Sequence, residues 1–149
     1  IERVLVPVGG GGLISGIALA LKSLKPGIEV IGVNAAASPD MFNLIYQTNH
    51  PLSHHTLADA LPGDIEAGSL TIELTRRRVD QIVLVDEAAI AEAMRWMLAE
   101  QGWLAEGGGV VGIAALQSGA VRADRSTAIV VSGGNVDIDV IAAILAQPR

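Results

Sequence analysis

Four consecutive glycines, Gly9, Gly10, Gly11 and Gly12, stand between two apolar segments in the stretch VPVGGGGLISGIALA, residues 6–20. Glycine loses more conformational entropy on folding than any other residue, so a run of four indicates that something must approach the backbone closely. If a strand precedes the glycines and a helix follows them, the turn presents unpaired N–H groups at the positive end of the helix dipole. The sequence therefore predicts an anion site here, most typically one for phosphate.

The residues around the glycines distinguish between phosphate ligands. A nucleoside triphosphate site would need G-x-x-x-x-G-K-[ST], and the chain has no Gly-Lys pair. A dinucleotide site would prefer G-x-G-x-x-G with an acid after the next strand; Gly10, Gly12 and Ser15 come near this spacing, but the third glycine is missing and Asn34 replaces the acid. A small monophosphate cofactor such as pyridoxal 5′-phosphate needs only a compact cradle of amides. A tight turn without a ligand is the remaining alternative.

Composition and charge argue against several functions. The net charge of −6 and the pI near 4.9 disfavour binding to nucleic acid or to anionic membranes, which requires clustered Lys and Arg. The basic run at 76–78 is typical of a solvated helix end. There is no cysteine, which excludes disulfides and thiolate metal sites. Because no apolar stretch approaches the ~18 residues of a membrane span and no signal peptide opens the chain, we expect a soluble, cytoplasmic protein.

Strands and helices alternate along the 149 residues. The pattern predicts strands at 3–8, 29–33, 81–85 and 128–131, and helices at 13–24, 40–47, 71–78, from Asp86 to about 101, from the second glycine run to about 118, and at 138–146. The long polar segment 48–68 is a candidate functional loop. Apolar strands that alternate with helices predict one α/β domain, with a mostly parallel open sheet and helices on both faces.

Three glycine-rich turns lie near predicted strand ends or helix starts, at 9–12, 107–109 and 133–134. The turn at 107–109 is expected to precede a helix of small residues. Because ligands of parallel α/β sheets bind beyond the carboxyl ends of the strands, we expect the three turns to converge on one crevice.

The glycine segment VPVGGGGLISGIA resembles the phosphate-binding segment of the fold type II pyridoxal-phosphate enzymes, specifically the serine/threonine dehydratase (threonine ammonia-lyase) group. The similarity continues in order through IGV at 31–33, TLADAL at 56–61, VDQIVLVDEAAIAEAM at 79–94, AEGGGVVGIAAL at 105–116 and VVSGGNVD at 130–137. Within the group, EGGGVVGIAAL and MRWMLAEQGWLAE are most similar to the dehydratases associated with hydroxyectoine breakdown. The resemblance implies the large domain of the tryptophan synthase β-like fold, with pyridoxal 5′-phosphate as cofactor.

The resemblance also implies roles for single residues. The backbone N–H groups of residues 9–12 would bind the cofactor phosphate, and Ser132 would hydrogen-bond the pyridine nitrogen. A neutral hydroxyl leaves that nitrogen largely unprotonated, which suits elimination chemistry. Gly133 and Gly134 would let the backbone pass close to the ring, and Asn135 would brace the turn. Glu106 corresponds to an acid that lies close to the cofactor in the family; plain surface exposure is its alternative, since an unpaired buried carboxylate is costly.

No metal site is expected. Members of the family often bind a cation just after the second strand through an acid in GVE, but Asn34 replaces that acid here. Asp40 remains as a possible second ligand, and two oxygen groups without the central carboxylate make a poor site for a hard cation. The three histidines, His50, His54 and His55, are interpreted as solvated loop residues.

One requirement of the family is unmet. A pyridoxal enzyme uses a lysine that forms a Schiff base with the cofactor and then acts as acid and base at the substrate α-carbon. Only Lys22 and Lys25 are present, about 15 Å from the glycines if the helix is regular. In the family the lysine belongs to the N-terminal half. We therefore expect residues 1–149 to form a single C-terminal cofactor-binding portion that has no catalytic residue and is inactive alone.

The complete protein would eliminate water from serine, threonine or a related hydroxy amino acid, and give a 2-oxo acid and ammonia. Because N-terminal segments complete the sheet in the family, we expect this chain to expose apolar surface and to form a homo-oligomer. A non-catalytic module that binds a cofactor or a subunit is the alternative from another class. A nucleotide-binding domain is a third.

Overall fold

The computed structural model describes residues 1–53 and 55–146. Its four strands form one sheet in the order β3-β2-β1-β4, and every neighbouring pair is parallel. The strands are β1 Arg3–Pro7, β2 Glu29–Ala35, β3 Gln81–Val85 and β4 Thr127–Ile129. The helices are α1 Gly12–Leu24, α2 Asp40–Tyr46, α3 Leu70–Arg78, α4 Glu87–Gln101, α5 Gly107–Gln117 and α6 Ile138–Ala146. The predicted α/β class and parallel sheet are confirmed.

The two faces of the sheet bury separate apolar clusters. Val4 and Val6 of β1 pack with Ile14 of α1 on one face, the side of α1, α2 and α3. Leu5 points the other way and packs with Ile90 of α4 in the cluster beneath α4, α5 and α6. This alternation follows from the two-residue period of a strand, and it confirms the prediction of helices on both faces.

The register of the sheet brings the predicted site residues to one edge. Pro7, the last residue of β1, pairs with Val33 of β2, and the four glycines follow directly. On the other side β1 pairs with β4, whose last paired residue, Ile129, lies opposite Leu5. Since parallel strands end at the same edge, the segment that follows β4 emerges beside the glycines.

Several predicted boundaries need correction. Helix α2 ends at Tyr46 because Gln47 adopts a left-handed conformation, φ 55°. Strand β4 ends at Ile129 rather than at Val131; the N–H of Val130 still donates to the Leu5 carbonyl at 3.0 Å, and the pairing then stops.

The second glycine run lies inside the first turn of α5 rather than before it. Tight packing explains why these positions are glycine. A Cβ on Gly107 would collide with the carbonyl of Leu57, and one on Gly109 would lie 2.6 Å from the carbonyl oxygen of Gly133. The first turn of α5 has no side chain at Gly107 or Gly109 because two loops pack directly against it.

Two further predictions hold. Asp86 caps α4, since its side chain accepts the N–H of Ala89 at 2.8 Å. The segment from 48 to 68 contains no helix or strand in its described residues; His54 lies outside them. Across the described ranges, no helix has the length and apolar character needed to cross a membrane.

Candidate functional site

The glycine run connects β1 to α1. Gly11 takes a left-handed conformation, φ 85°, and Gly12 begins the helix. Among the residues that the structure describes, no backbone or side-chain acceptor receives the N–H of Gly9, Gly10, Gly11 or Gly12. These donors stand at the positive end of the α1 dipole, so the turn is suited to bind an anion.

The four glycines are glycine for two different reasons. A Cβ on Gly9 would lie 2.7 Å from the Leu61 carbonyl oxygen, and one on Gly11 would lie 2.5 Å from Cε of Met41 and would strain the positive φ. Cβ atoms on Gly10 and Gly12 would meet nothing within 4 Å. Protein packing therefore requires the first pair, while the second pair borders open space.

That open space is a cleft of about 240 Å³. Its walls are formed by Pro7, Gly9, Gly10, Gly11, Gly12, Leu13, Ala60, Leu61, Glu106 and Ser132. The structure thus brings the predicted phosphate cradle, the predicted pyridine-nitrogen partner and the predicted cofactor-side acid together at the carboxyl edge of the sheet. Of the residues predicted to bind the cofactor, Gly133 does not line the cleft.

Gly133 lies behind the cleft wall, against Glu106. The carboxylate of Glu106 fills the space that a Cβ on Gly133 would need, and the N–H of Glu106 donates to the Gly133 carbonyl at 3.1 Å. One carboxylate oxygen accepts the N–H of Asn135 at 3.0 Å. Glu106 is therefore half-buried and partnered, which rules out the alternative of plain surface exposure. Glu106 thus holds the turn after β4 through the backbone of Asn135, and the exposed Ser132 side chain of that turn faces the cleft.

The glycine turn is held from outside by α3. The Thr71 hydroxyl donates to the carbonyl of Gly10 at 2.8 Å, and Ser69, the cap of α3, contacts the same hydroxyl at 2.8 Å. In a trans peptide the C=O and the following N–H point in opposite directions, so this bond turns the N–H of Gly11 away from α3. Sequence reasoning missed Thr71, which carries no signal beyond its position in a helix start.

Residues 56–61, which we call the wall segment, form a further part of the cleft. Leu61 and Ala60 line it, and the Leu61 carbonyl lies against Gly9. Ala58 is fully buried beneath them. The sequence TLADAL marked this segment only as part of a resemblance, without a role at the site.

Asn34 and Asp40, the weak metal candidates, do not share a site. The fully buried amide of Asn34 donates to the Val8 carbonyl at 2.5 Å and accepts the N–H of Phe42 at 3.2 Å. Asp40 begins α2 and borders a different hollow, together with Asp64. The described residues include no group of three or more His, Asp or Glu side chains placed to hold a metal. That no metal binds stays a prediction.

The two lysines lie far along α1 from the glycines. Lys22 pairs with Asp80 at 2.6 Å, and the amine of Lys25 donates to the carbonyl of Ile1 at 2.5 Å. Ile1 and Asp80 precede the starts of β1 and β3, so both partners lie at the edge of the sheet opposite to the cleft. Of the three predicted loop histidines, His50 and His55 are exposed, and His54 lies outside the described residues.

Comparison with known proteins identifies the family. The model of the family described as "Pyridoxal-phosphate dependent enzyme" matches residues 1–133. The chain is 40% identical to L-threonine ammonia-lyase of Thermotoga maritima over 97% of its own length, and 38% identical to the catabolic L-threonine dehydratase of Escherichia coli K12, also over 97%. It spans 36% and 45% of the length of these two relatives.

Solved structures agree with the sequence relatives. A threonine deaminase from T.th. superposes with a TM-score of 0.82 at 34% identity, over 92% of this chain and 50% of that one. Maize serine racemase superposes with a TM-score of 0.81 at 30% identity, over 97% of this chain and 46% of that one. The fold type II architecture is confirmed, and the resemblance to the serine/threonine dehydratase group with it. This chain belongs to the pyridoxal-phosphate dependent enzymes.

Proposed function

We propose that this chain is the cofactor-binding, C-terminal portion of a pyridoxal-phosphate dependent dehydratase that removes water from a hydroxy amino acid and releases a 2-oxo acid and ammonia. One observation carries the proposal. The N–H groups of residues 9–12, for which the described residues offer no acceptor, border the same cleft as the Ser132 hydroxyl and the Glu106 carboxylate. The relatives named for threonine ammonia-lyase and threonine dehydratase support the class of reaction.

The residues present fit a phosphorylated ring. A phosphate dianion needs several convergent donors, and the turn offers four glycine N–H groups with open space beside Gly10 and Gly12. Bound pyridoxal phosphate supplies the electron sink that allows the α-proton and the β-hydroxyl of the substrate to leave. Ser132 would donate a hydrogen bond to the ring nitrogen and leave that nitrogen largely unprotonated. Glu106 keeps Ser132 in place because it holds the next residues of the turn.

On this proposal the chain's own residues would bind and orient the cofactor, but no lysine borders the cleft in the part of the chain that the structure describes. Lys22 and Lys25 are occupied at the far edge of the sheet. We therefore propose that the catalytic lysine belongs to a separate N-terminal portion, and that the 149 residues alone are inactive. Nothing in the comparisons supports a nucleotide-binding domain or a non-catalytic module.

Self-association is part of the proposal. Leu24, Leu70, Trp103 and Ile138 are at least two-thirds exposed. An apolar groove of about 400 Å³ also lies between α1 and the β4 edge, lined in part by Leu21 and Val130. Such surface favours a homo-oligomer, and a concentration series in the ultracentrifuge tests this: a single monomeric species at high concentration would contradict it. The cytoplasmic location and the hydroxyectoine subgroup stay predictions of the sequence.

Binding of pyridoxal phosphate to the purified chain tests the proposed function. We expect saturable binding, followed by cofactor absorbance and by quenching of Trp fluorescence, that inorganic phosphate displaces and NAD does not. Ser132→Ala should leave phosphate binding unchanged but alter the absorbance of the bound ring. Failure to bind either pyridoxal phosphate or inorganic phosphate would refute the cradle, and release of pyruvate from serine by the chain alone would refute its inactivity.

A further inference from the structure

We propose that Glu87, at the start of α4, is a positioning residue that holds the wall segment (residues 56–61) closed against the glycine turn. Glu87 does not line the cleft. It acts through the segment that does, and the ligand part of this inference rests on the proposed function.

The hydrogen bonds of the wall segment carry the inference. One oxygen of Glu87 accepts the Thr56 hydroxyl at 2.6 Å, and the other accepts the N–H of Leu57 at 2.7 Å. The remaining bonds of the segment are internal: Ala58 N–H to the Thr56 hydroxyl oxygen at 3.1 Å, and Leu61 N–H to the Ala58 carbonyl at 2.9 Å. Within the described ranges, Glu87 is therefore the only residue outside the wall segment to which it is hydrogen-bonded.

The wall segment is packed so tightly that small displacements matter. The Leu61 carbonyl touches Gly9 of the glycine turn, and the Leu57 carbonyl touches Gly107 at the start of α5. The segment therefore fits between the phosphate cradle and the helix that carries Glu106. If its anchor is lost, Leu61 moves away from Gly9 and the cleft widens on that side.

At the start of α4, two neighbouring residues have different roles: Asp86 caps the helix and Glu87 binds the wall segment. Asp86 caps α4 through Ala89, so the carboxylate of Glu87 is not needed for the helix. Glu87 is half-buried, and both of its oxygens receive a donor from the same segment. Hydrogen bonds to a charged acceptor are stronger than neutral ones, which makes one side chain sufficient to anchor the whole wall segment.

Amide hydrogen exchange on the whole chain tests the anchor without any ligand. In Glu87→Ala we expect exchange at Leu57, Ala58 and Leu61 to be at least tenfold faster than in the wild type. Glu87→Gln, which retains one oxygen acceptor, should be intermediate. The matched control is Glu92→Ala, which removes an exposed carboxylate on the same helix that pairs with Arg95, and which should leave exchange in the wall segment unchanged.

A double-mutant cycle with Thr56→Val tests the specific contact. If Glu87 acts through Thr56, the two substitutions should be non-additive in their effect on exchange. Additive effects, or equal exchange in Glu87→Ala and Glu92→Ala, would overturn the inference.

Affinity for pyridoxal phosphate provides the second readout. We expect Glu87→Ala to weaken binding about tenfold, and Glu92→Ala to leave it unchanged at temperatures where both variants are folded. An unchanged affinity in Glu87→Ala would overturn the role in positioning the cleft. If the wild-type chain itself binds neither pyridoxal phosphate nor inorganic phosphate, the proposed function fails, while the exchange experiment still decides whether Glu87 anchors the segment.

Discussion

The carboxylate of Glu106 accepts the backbone N–H of Asn135 at 3.0 Å, while the N–H of Glu106 donates to the carbonyl of Gly133 at 3.1 Å. The two bonds join the start of α5 to the turn that follows β4. Since Ser132 is the residue before Gly133, this pair of contacts sets where the serine hydroxyl lies in the cleft. Gly133 has no side chain because the Glu106 carboxylate occupies its place.

Replacement of Glu106 should therefore affect both stability and cofactor binding. Glu106→Ala removes the acceptor of the Asn135 N–H, and we expect the free energy of unfolding to fall by about 1–2 kcal/mol. Glu106→Gln keeps an oxygen acceptor and should lose less. Urea denaturation measures the stability, and pyridoxal phosphate titration the affinity. Glu66→Ala, which removes an exposed carboxylate, is the control; an equal loss in that variant would contradict the role of the Asn135 contact.

Alanine substitutions at two neighbouring glycines separate packing from ligand binding. Gly9→Ala places a Cβ against the Leu61 carbonyl, and we expect a loss of stability of roughly 1–3 kcal/mol from overpacking. Gly10→Ala meets no protein atom within 4 Å, so stability should change little while phosphate affinity falls, because the methyl group enters the cleft. Thermal melts and phosphate titrations of the two variants test this. A Gly10→Ala variant that binds phosphate as well as the wild type would place the anion elsewhere.

Asn34 links three elements beside the cradle, and its loss should be costly. Asn34→Ala leaves the Val8 carbonyl and the Phe42 N–H without their partner, and we expect a loss of about 2–4 kcal/mol. In Asn34→Asp a carboxylate oxygen faces the Val8 carbonyl, which only the protonated form can satisfy. The pKa of the introduced carboxyl is then raised in the folded state, so the variant should lose stability as the pH rises through that pKa.

Chemical denaturation of the Asn34 variants at pH 5 and pH 7.5 measures this dependence. Asn49→Asp, an exposed position, serves as the control and should show no added pH dependence.

Thermal melts of the wild type with Mg²⁺ or with a chelator test the prediction that no metal binds. The melting temperature should be identical in both. A rise with Mg²⁺ would contradict it.

Asp124 should contribute to acid stability. Desolvation acts to raise the pKa of Asp124 and is the largest single influence, but the hydrogen bond from the buried Arg3 guanidinium, 3.2 Å away, a backbone hydrogen bond and the positive charges of Arg3 and Arg122 together outweigh it and hold the pKa below its ordinary value. The unfolded chain therefore takes up a proton at a higher pH than the folded one. The stabilisation is present above the ordinary carboxyl pKa and is lost as the pH falls through the lowered folded value. Asp124→Asn should flatten the acid side of the stability profile.

Urea denaturation between pH 2 and pH 6 checks the Asp124 prediction. Because the carboxylate is partly exposed, the difference should shrink at high salt. Asp64→Asn, another exposed carboxyl, serves as the control. Profiles that are identical in the wild type and in Asp124→Asn would show that Arg3 is satisfied by its other partners, the Glu29 carboxylate and the Arg122 carbonyl.

Much of the fold could be predicted because local patterns determine it. The apolar run of β1, the glycine turn and the helical spacing of α1 are all properties of adjacent residues, and the structure places each where the sequence predicts it. The parallel sheet follows from the alternation of strands and helices. The capping role of Asp86 was predictable for the same reason, since the cap and its N–H partner are three residues apart.

Other features required the tertiary structure, because their causes lie far away along the chain. Residue 107 must be glycine because the Leu57 carbonyl packs against the start of α5, and the pairing of β4 stops because the next bond of the ladder would need an N–H from Pro7, which proline lacks. Glu106 looked like an isolated carboxylate until the turn 29 residues later supplied its partner. Glu87 carried no signal at all. Sequence alone determined which chemical groups the cleft would have, namely backbone amides beside a serine. Only tertiary packing decided what holds those groups in place. The reason is that the donors and acceptors lie on segments that are far apart along the chain.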